Sequence, residues 1–142
     1  MIDREKLRKL SKVMVNYSTK IQKGESLLIK GYGFDSYPLV KEIYREAIRA
    51  GASEVDVRFS TDEMGRIFME EASDEQLGHL SELSKEVAES YDAMIQIVAD
   101  ENRYEMTDIP PEKMKIARTA RKPLSDILHK TKSKSEEALN LE

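Results

Sequence analysis

The chain contains no cysteine among its 142 residues. That excludes a disulfide framework, a thiolate nucleophile and any thiolate metal site. No apolar run approaches the roughly 20 residues that a membrane-spanning helix needs. The opening, MIDREKLRKL, is charged and lacks the apolar core of a secretory leader, so the expected location is cytoplasmic. Histidine is scarce, with only His79 and His129. There is no H-E-x-x-H, no G-x-S-x-G and no P-loop Lys-Ser/Thr pair, and no acid pair stands in surroundings that would split two pKa values. What is present is ordinary for a soluble globular protein, with 39% hydrophobic and 35% charged residues. The length suits one domain that buries roughly two-thirds of its unfolded surface.

Against that background the stretch from Glu25 to Ser60 stands out. ESLLIK is an apolar run, GYGFDS a glycine-containing turn, YPLVKEIYREAIRA a helical pattern, Gly51 a breaker, and SEVDVRFS an alternating strand. This is one βαβ unit, and a right-handed crossover between parallel strands follows from it. Upstream, Leu7, Leu10, Met14, Tyr17 and Ile21 recur at three and four residues and predict a helix over about Asp3–Gln22, with Asp3 as N-cap and Gly24 as stop. The first strand, Ser26–Lys30, is apolar at Leu27, Leu28 and Ile29, which predicts cover on both faces. In the next helix Ser36 or Asp35 is the expected cap, Pro38 lies in the first turn, and Leu39, Val40, Ile43, Ala47 and Ile48 are expected to face the sheet.

The second strand alternates Val55, Val57, Phe59 against Glu54, Asp56, Arg58, as an edge strand with one solvated face does. Two helices should follow, Thr61–Glu71 and Ser73–Tyr91, the second opened by a Ser73/Gln76 capping box. Ala93–Ala99 reads as a third, buried strand. A final helix starts near Glu112, and Pro123 is expected to break or kink it. From Lys130 the sequence is polar and reads as a linker or disordered tail, with Leu141–Glu142 readable as cloning residues. The expectation is an α/β fold in three layers: a small, mainly parallel sheet of order 2-1-3 with helices on both faces, incomplete through truncation, with at least one more strand downstream.

Charge is distributed unevenly. Glu54 to Glu112 carries 17 acidic and 4 basic side chains, whereas Lys113 to Lys134 carries 8 basic and one acidic, Asp126. A basic helix can mark a nucleic-acid footprint. This one has no aromatic residue to stack on a base, and an acidic surface within the same chain can take up its charge. Nucleic acid is therefore the least favoured partner.

Among candidate site residues, Gly31-Tyr32-Gly33-Phe34-Asp35-Ser36 resembles the start of a dinucleotide fingerprint, but Ser36 stands where the third glycine belongs. The glycines are better explained by a tight strand-to-helix turn. Glu75, His79, Glu82 and Glu86 would fall within about 60° on one helical face, a set able to hold zinc. The apolar stripe Leu77, Leu80, Leu83, Val87 and Tyr91 lies opposite, so the acidic face is expected to be solvated. His129 lies on the basic segment without an evident partner. Open α/β sheets bind ligands at the carboxyl ends of their strands, which singles out Tyr32, Asp35, Asp100, Glu101 and Arg103 as loop residues facing a cavity. No catalytic residue and no metal ligand is assigned.

Three strings carry a resemblance to a known family. They are VNYSTKIQKGESLLIKG (Val15 to Gly31), PLVKEIYREAIRAGASEVDVRFSTDE (Pro38 to Glu63) and YDAMIQIVADEN (Tyr91 to Asn102), followed by the basic helix from Lys113. Together they are similar to the N-terminal region of the aminopeptidase T and aminopeptidase S family, the thermophilic-type metalloaminopeptidases. The resemblance covers most of residues 5–128, and its motifs are structural rather than catalytic. It implies a two-domain exopeptidase that removes N-terminal residues from peptides with two divalent metal ions held in a C-terminal domain, roughly 250 residues beyond this chain. Residues 1–129 would then be a non-catalytic N-terminal domain that helps shape the substrate cavity, and 130–142 a linker. Implied partners are peptides, the protein's own C-terminal domain and a second copy in a homodimer. The alternative from another class is a free-standing α/β module that binds a small anion at the strand-end loops or an acidic partner at the basic helix. Nonspecific RNA binding by Lys113 to Lys134 ranks third.

Overall fold

Leu27, Leu28 and Ile29 are all fully buried, so the first strand, β1 (Ser26–Tyr32), is enclosed on both faces as its unbroken apolar run requires. A computed structural model of the chain describes residues 3–99, 108–131 and 135–139. For 128–131 and 135–139 it describes the backbone alone. β1 pairs in parallel with β2 (Glu54–Ser60) on one side and β3 (Ala93–Val98) on the other. Leu27 stands opposite Val55 and Ala93, and Ile29 opposite Val57 and Ile95. The order β2-β1-β3 is the one the crossover rule selects.

A fourth parallel strand, β4 (Ser135–Leu139), extends the sheet beyond β3. The sequence SEEAL gives no strand signal, and its polar composition had suggested a linker. Five residues at a sheet margin need only the ladder to β3, not an apolar pattern. The segment expected to be only a linker or disordered tail thus carries a strand at 135–139.

Chain contacts divide the protein into two compact units. The first joins residues 1–61, 91–101 and 132–142 and contains the sheet. On one sheet face lie α1 (Arg4–Val13) and α2 (Tyr37–Arg49), with Leu7, Met14, Val15, Leu39, Val40, Ile43 and Ala47 packed on Leu27, Ile29, Ala93, Ile95 and Ile97. Asp3 caps α1 by accepting from the Glu5 amide. The helix then widens into a π turn over Met14–Ser18. The extra residue moves the buried stripe by about one position, which puts Val15 at 0% exposure and leaves Tyr17, expected on the stripe, at 74%. The segment ends at Lys20, whose φ of 50° is left-handed, and not at Gly24. Thr19 closes the turn, its hydroxyl donating to the carbonyls of Met14 and Val15.

In α2 the expected inward residues are buried except Ile48, which is 49% exposed. Ser36 does not cap this helix through its side chain. It closes a short 3-10 turn, Phe34–Ser36, by donating its hydroxyl to the Gly33 carbonyl. β2 is an edge strand, as its alternation predicts, but its two faces are more evenly open than that pattern implied.

The second unit covers residues 62–90 and 102–131. It holds α3 (Asp62–Glu71), α4 (Asp74–Gly78), α5 (Glu82–Ser90) and α6 (Pro111–Thr131) around Met69, Ala72, Leu77, Ile109 and Ala117. The Ser73/Gln76 capping box is formed. The single helix expected over Ser73–Tyr91 is instead two. Gly78 weakens it, His79 turns to extended backbone, and Ser81 caps α5 by accepting from the Ser84 amide. Pro123 does not break α6, which runs unbroken through it. The ring is exposed, so the lost hydrogen bond is not left buried.

Candidate functional site

The carboxyl ends of β1, β2 and β3 come together where ligands of open α/β sheets bind. Gly31 precedes the turn for a steric reason: a Cβ there would lie 2.6 Å from the Ser36 Oγ and 2.8 Å from the Phe59 ring. Gly33 has φ 90°, a conformation that side-chain-bearing residues rarely take. The turn consumes its own amides. Gly33 N–H donates to the Ser60 carbonyl at 2.7 Å, Ser36 N–H to the Gly33 carbonyl at 3.1 Å, and Tyr37 N–H to the Phe34 carbonyl. These groups are unavailable to a phosphate, so the glycines serve the fold of the turn.

Of the five expected cavity residues, the structure brings Tyr32 and Asp35 to this end of the sheet. Tyr32 is half-buried at the close of β1, its carbonyl accepting from Ala99, and Asp35 is exposed. Asp100, Glu101 and Arg103 lie outside the described residues.

On the sheet face away from α1 and α2, Lys30 stands beside Arg58 on β2 and Gln96 on β3. Burial and then the Arg58 charge push the Lys30 ammonium below the usual lysine range. On the same face, the Tyr91 hydroxyl donates to the Asp56 carboxylate. That bond, with burial and the nearby Asp56 and Glu54 charges, raises the Tyr91 pKa to about 12. Neither pair was legible beforehand, because each joins residues far apart in sequence, Lys30 and Arg58 through the parallel register and Tyr91 and Asp56 through a side-chain hydrogen bond.

Two buried carboxylates were also missed. Glu42 and Glu46, at 1% and 7% exposure, pair with Arg45 and Arg49 at 3.3 and 3.1 Å. The only sequence signal is their i,i+3 spacing, which is common on exposed helices as well.

The His79 set is not assembled as one helical face, because the break at His79–Ser81 separates Glu75 from Glu82 and Glu86. His79 instead lines an open cavity of about 410 Å³ in the second unit, with Phe68, Leu77, Leu80, Ser84 and Arg121. His129 falls in α6, where only the backbone is described. Among the described residues no three His, Asp or Glu side chains gather into a metal-holding group. The described part of this chain therefore offers no fit for a two-metal centre, and no catalytic step is assigned to it. The basic helix instead makes a structural contact: Lys113 Nζ donates to the carbonyls of Met69, Glu70 and Ala72 at 3.1–3.2 Å, closing the end of α3. No described helix is long and apolar enough to cross a membrane.

Among solved structures, wild-type AmpT from Thermus thermophilus is similar, with a TM-score of 0.73 at 18% identity. The match covers 96% of this chain and 36% of that one, so the chain spans about a third of that structure. At this identity the likeness establishes the fold alone. No curated protein sequence matches. A family model described as thermophilic metalloprotease (M29) matches residues 3–139. With nearly the whole length matched, the chain belongs to the thermophilic metalloprotease family.

Proposed function

We propose that this chain is the N-terminal, non-catalytic part of a dinuclear metal-dependent aminopeptidase, which removes N-terminal residues from peptides. The observation that carries the reading is the family match over residues 3–139 in a chain that spans 36% of the AmpT structure. The matched strings place their apolar residues in the sheet and its covering helices: Leu27, Ile29, Ile43, Ile95 and Ile97 are all fully buried. They contribute packing rather than acid–base chemistry. The two divalent metals, which when bound would polarise a peptide carbonyl and supply hydroxide, belong in this reading to the C-terminal domain. In this reading the chain contributes a wall of the substrate cavity through Tyr32 and Asp35 at the end of β1. Equilibrium dialysis against zinc, cobalt and manganese tests the assignment. The expected result is no stoichiometric binding at micromolar metal. One tightly held ion per chain that is lost in His79→Ala or Glu82→Gln would overturn it.

A second reading, an anion-binding module, has one observation in its favour. Lys30 and Arg58 stand side by side near the ligand-binding end of the sheet. It predicts a saturable rise in melting temperature with inorganic phosphate that disappears in Arg58→Gln. A melting temperature unmoved by phosphate contradicts it.

A further inference from the structure

The chain leaves α4 at His79, where the backbone is extended, and enters α5 at Glu82. The cavity of about 410 Å³ lies at that break. Its wall is drawn from all four helices of the second unit: Phe68 from α3, Leu77 from α4, Ser84 from α5, and Arg121 and Leu124 from α6, with Leu80 in the break itself. The volume is that of a small-molecule site, for which about 300–1,000 Å³ is usual.

The lining has two chemical characters. Leu77 is 3% exposed and Leu80 and Leu124 are half-buried, so together they make an apolar floor. Phe68, at 40%, adds apolar surface that water still reaches. An apolar chain that displaces water from such surface gains free energy. The polar side is made of donors. Arg121 brings the five N–H groups of its guanidinium, and among the described residues it is joined to no carboxylate. Arg45, Arg49 and Arg66 each hold one. The Ser81 hydroxyl donates to the Ser84 Oγ at 2.8 Å while accepting from the Ser84 amide at 3.0 Å. Among the described residues, the Ser84 hydroxyl proton is thus left for a further acceptor. No Asp or Glu is among the described residues that line the cavity.

Donors over an apolar floor, with no anion beside them, call for a ligand of the reverse make: an anionic head on an apolar tail. A carboxylate meets the guanidinium fork with two parallel hydrogen bonds, whereas an ammonium would find no counter-charge in the lining.

We infer that this cavity binds a small amphiphilic monocarboxylate, with its carboxylate on Arg121 and Ser84 and its apolar tail on Leu77, Leu80 and Leu124. A fatty acid and the carboxyl end of a peptide with an apolar last residue share this chemistry. The inference does not depend on the peptidase reading.

Isothermal titration calorimetry of the whole chain with sodium octanoate tests it, with circular dichroism confirming the fold of each variant. One site per chain is expected, with a Kd of about 1 mM or tighter, an ordinary efficiency for a ligand of this size. Arg121→Gln, at an exposed helix position, should weaken binding at least about tenfold. Lys122→Gln removes an equal charge one residue along α6, outside the lining, and should leave the Kd within about twofold. Octanol, which has the tail without the charge, should bind more weakly and be indifferent to Arg121→Gln. Acetyl-leucine, titrated alongside, separates the two sources. Whichever of it and octanoate binds tighter identifies the class, and either supports the site when Arg121→Gln weakens it. No saturable binding of either up to about 10 mM overturns the inference. So does binding unmoved by Arg121→Gln, or octanol binding as tightly as octanoate. Equal losses in Arg121→Gln and Lys122→Gln overturn it too, because the attraction would then be that of net charge.

Discussion

At the residue scale, the turn after β1 rests on the absence of one side chain. A Cβ on Gly31 would sit between the Ser36 hydroxyl and the Phe59 ring, well inside contact distance of both. Phe59 can swing outward, but Ser36 is tied to the Gly33 carbonyl at 2.6 Å and is fully buried. Gly31→Ala should therefore cost about 1–3 kcal/mol, read as a lower urea midpoint with an unchanged slope. Tyr91 gives a second test. Its pKa is raised in the folded state, so the bond to Asp56 contributes fully below pH 10, the ordinary tyrosine value, and is lost as pH climbs through about 12. Tyr91→Phe should lower stability by about 1 kcal/mol at neutral pH, discounted for partial exposure. The gap between wild type and variant should close as pH rises from 10 to 12. An unchanged gap across that range would mean the hydroxyl does not bond the carboxylate.

At the element scale, what the sequence made legible was what apolar spacing controls. Leu27-Leu28-Ile29 announced a strand enclosed on both faces, and Leu39, Val40, Ile43 and Ala47 announced the inner face of α2. Ser73 and Gln76 announced a cap. Each of these signals is local and repeats within one element. The failures share an opposite cause. The π turn at Met14–Ser18, the helix break at His79–Ser81 and the strand at Ser135–Leu139 depend on partners distant in sequence or on backbone geometry without a strong residue code. Pro123 illustrates the reverse error, because α6 runs on through this interior proline, whose ring is exposed. One cation of the basic helix has a structural use that the charge asymmetry did not indicate. The Lys113 ammonium closes three carbonyls at the end of α3, where a cation also opposes the helix dipole. Lys113→Met should cost about 1–2 kcal/mol. Lys115→Met, at an exposed position about half a turn away, should stay within about 0.5 kcal/mol. Equal losses in both would show that net charge, not the cap, matters.

At the scale of the whole molecule, the fold and the family were both readable, and the site was not. The βαβ unit from Glu25 to Ser60 set the sheet order, because handedness leaves little freedom once two parallel strands and a crossover are present. Of the five loop residues proposed from the strand-end rule, Tyr32 and Asp35 sit at the expected end of the sheet. That rule gives a location without a chemistry. The pairs found by structure, Lys30 beside Arg58 and Tyr91 on Asp56, join residues distant in sequence and carry no sequence motif.

The proposed function is that this chain is the non-catalytic part of a metal-dependent aminopeptidase, so that peptide hydrolysis would require sequence beyond it. The direct measurement compares release of N-terminal residues from short peptides, with divalent metal present, by this chain alone and by the same chain joined to its downstream sequence. The account predicts no metal-dependent turnover from the chain alone and chelator-sensitive turnover from the longer protein. Metal-dependent turnover by the chain alone, surviving purification to homogeneity, would contradict it.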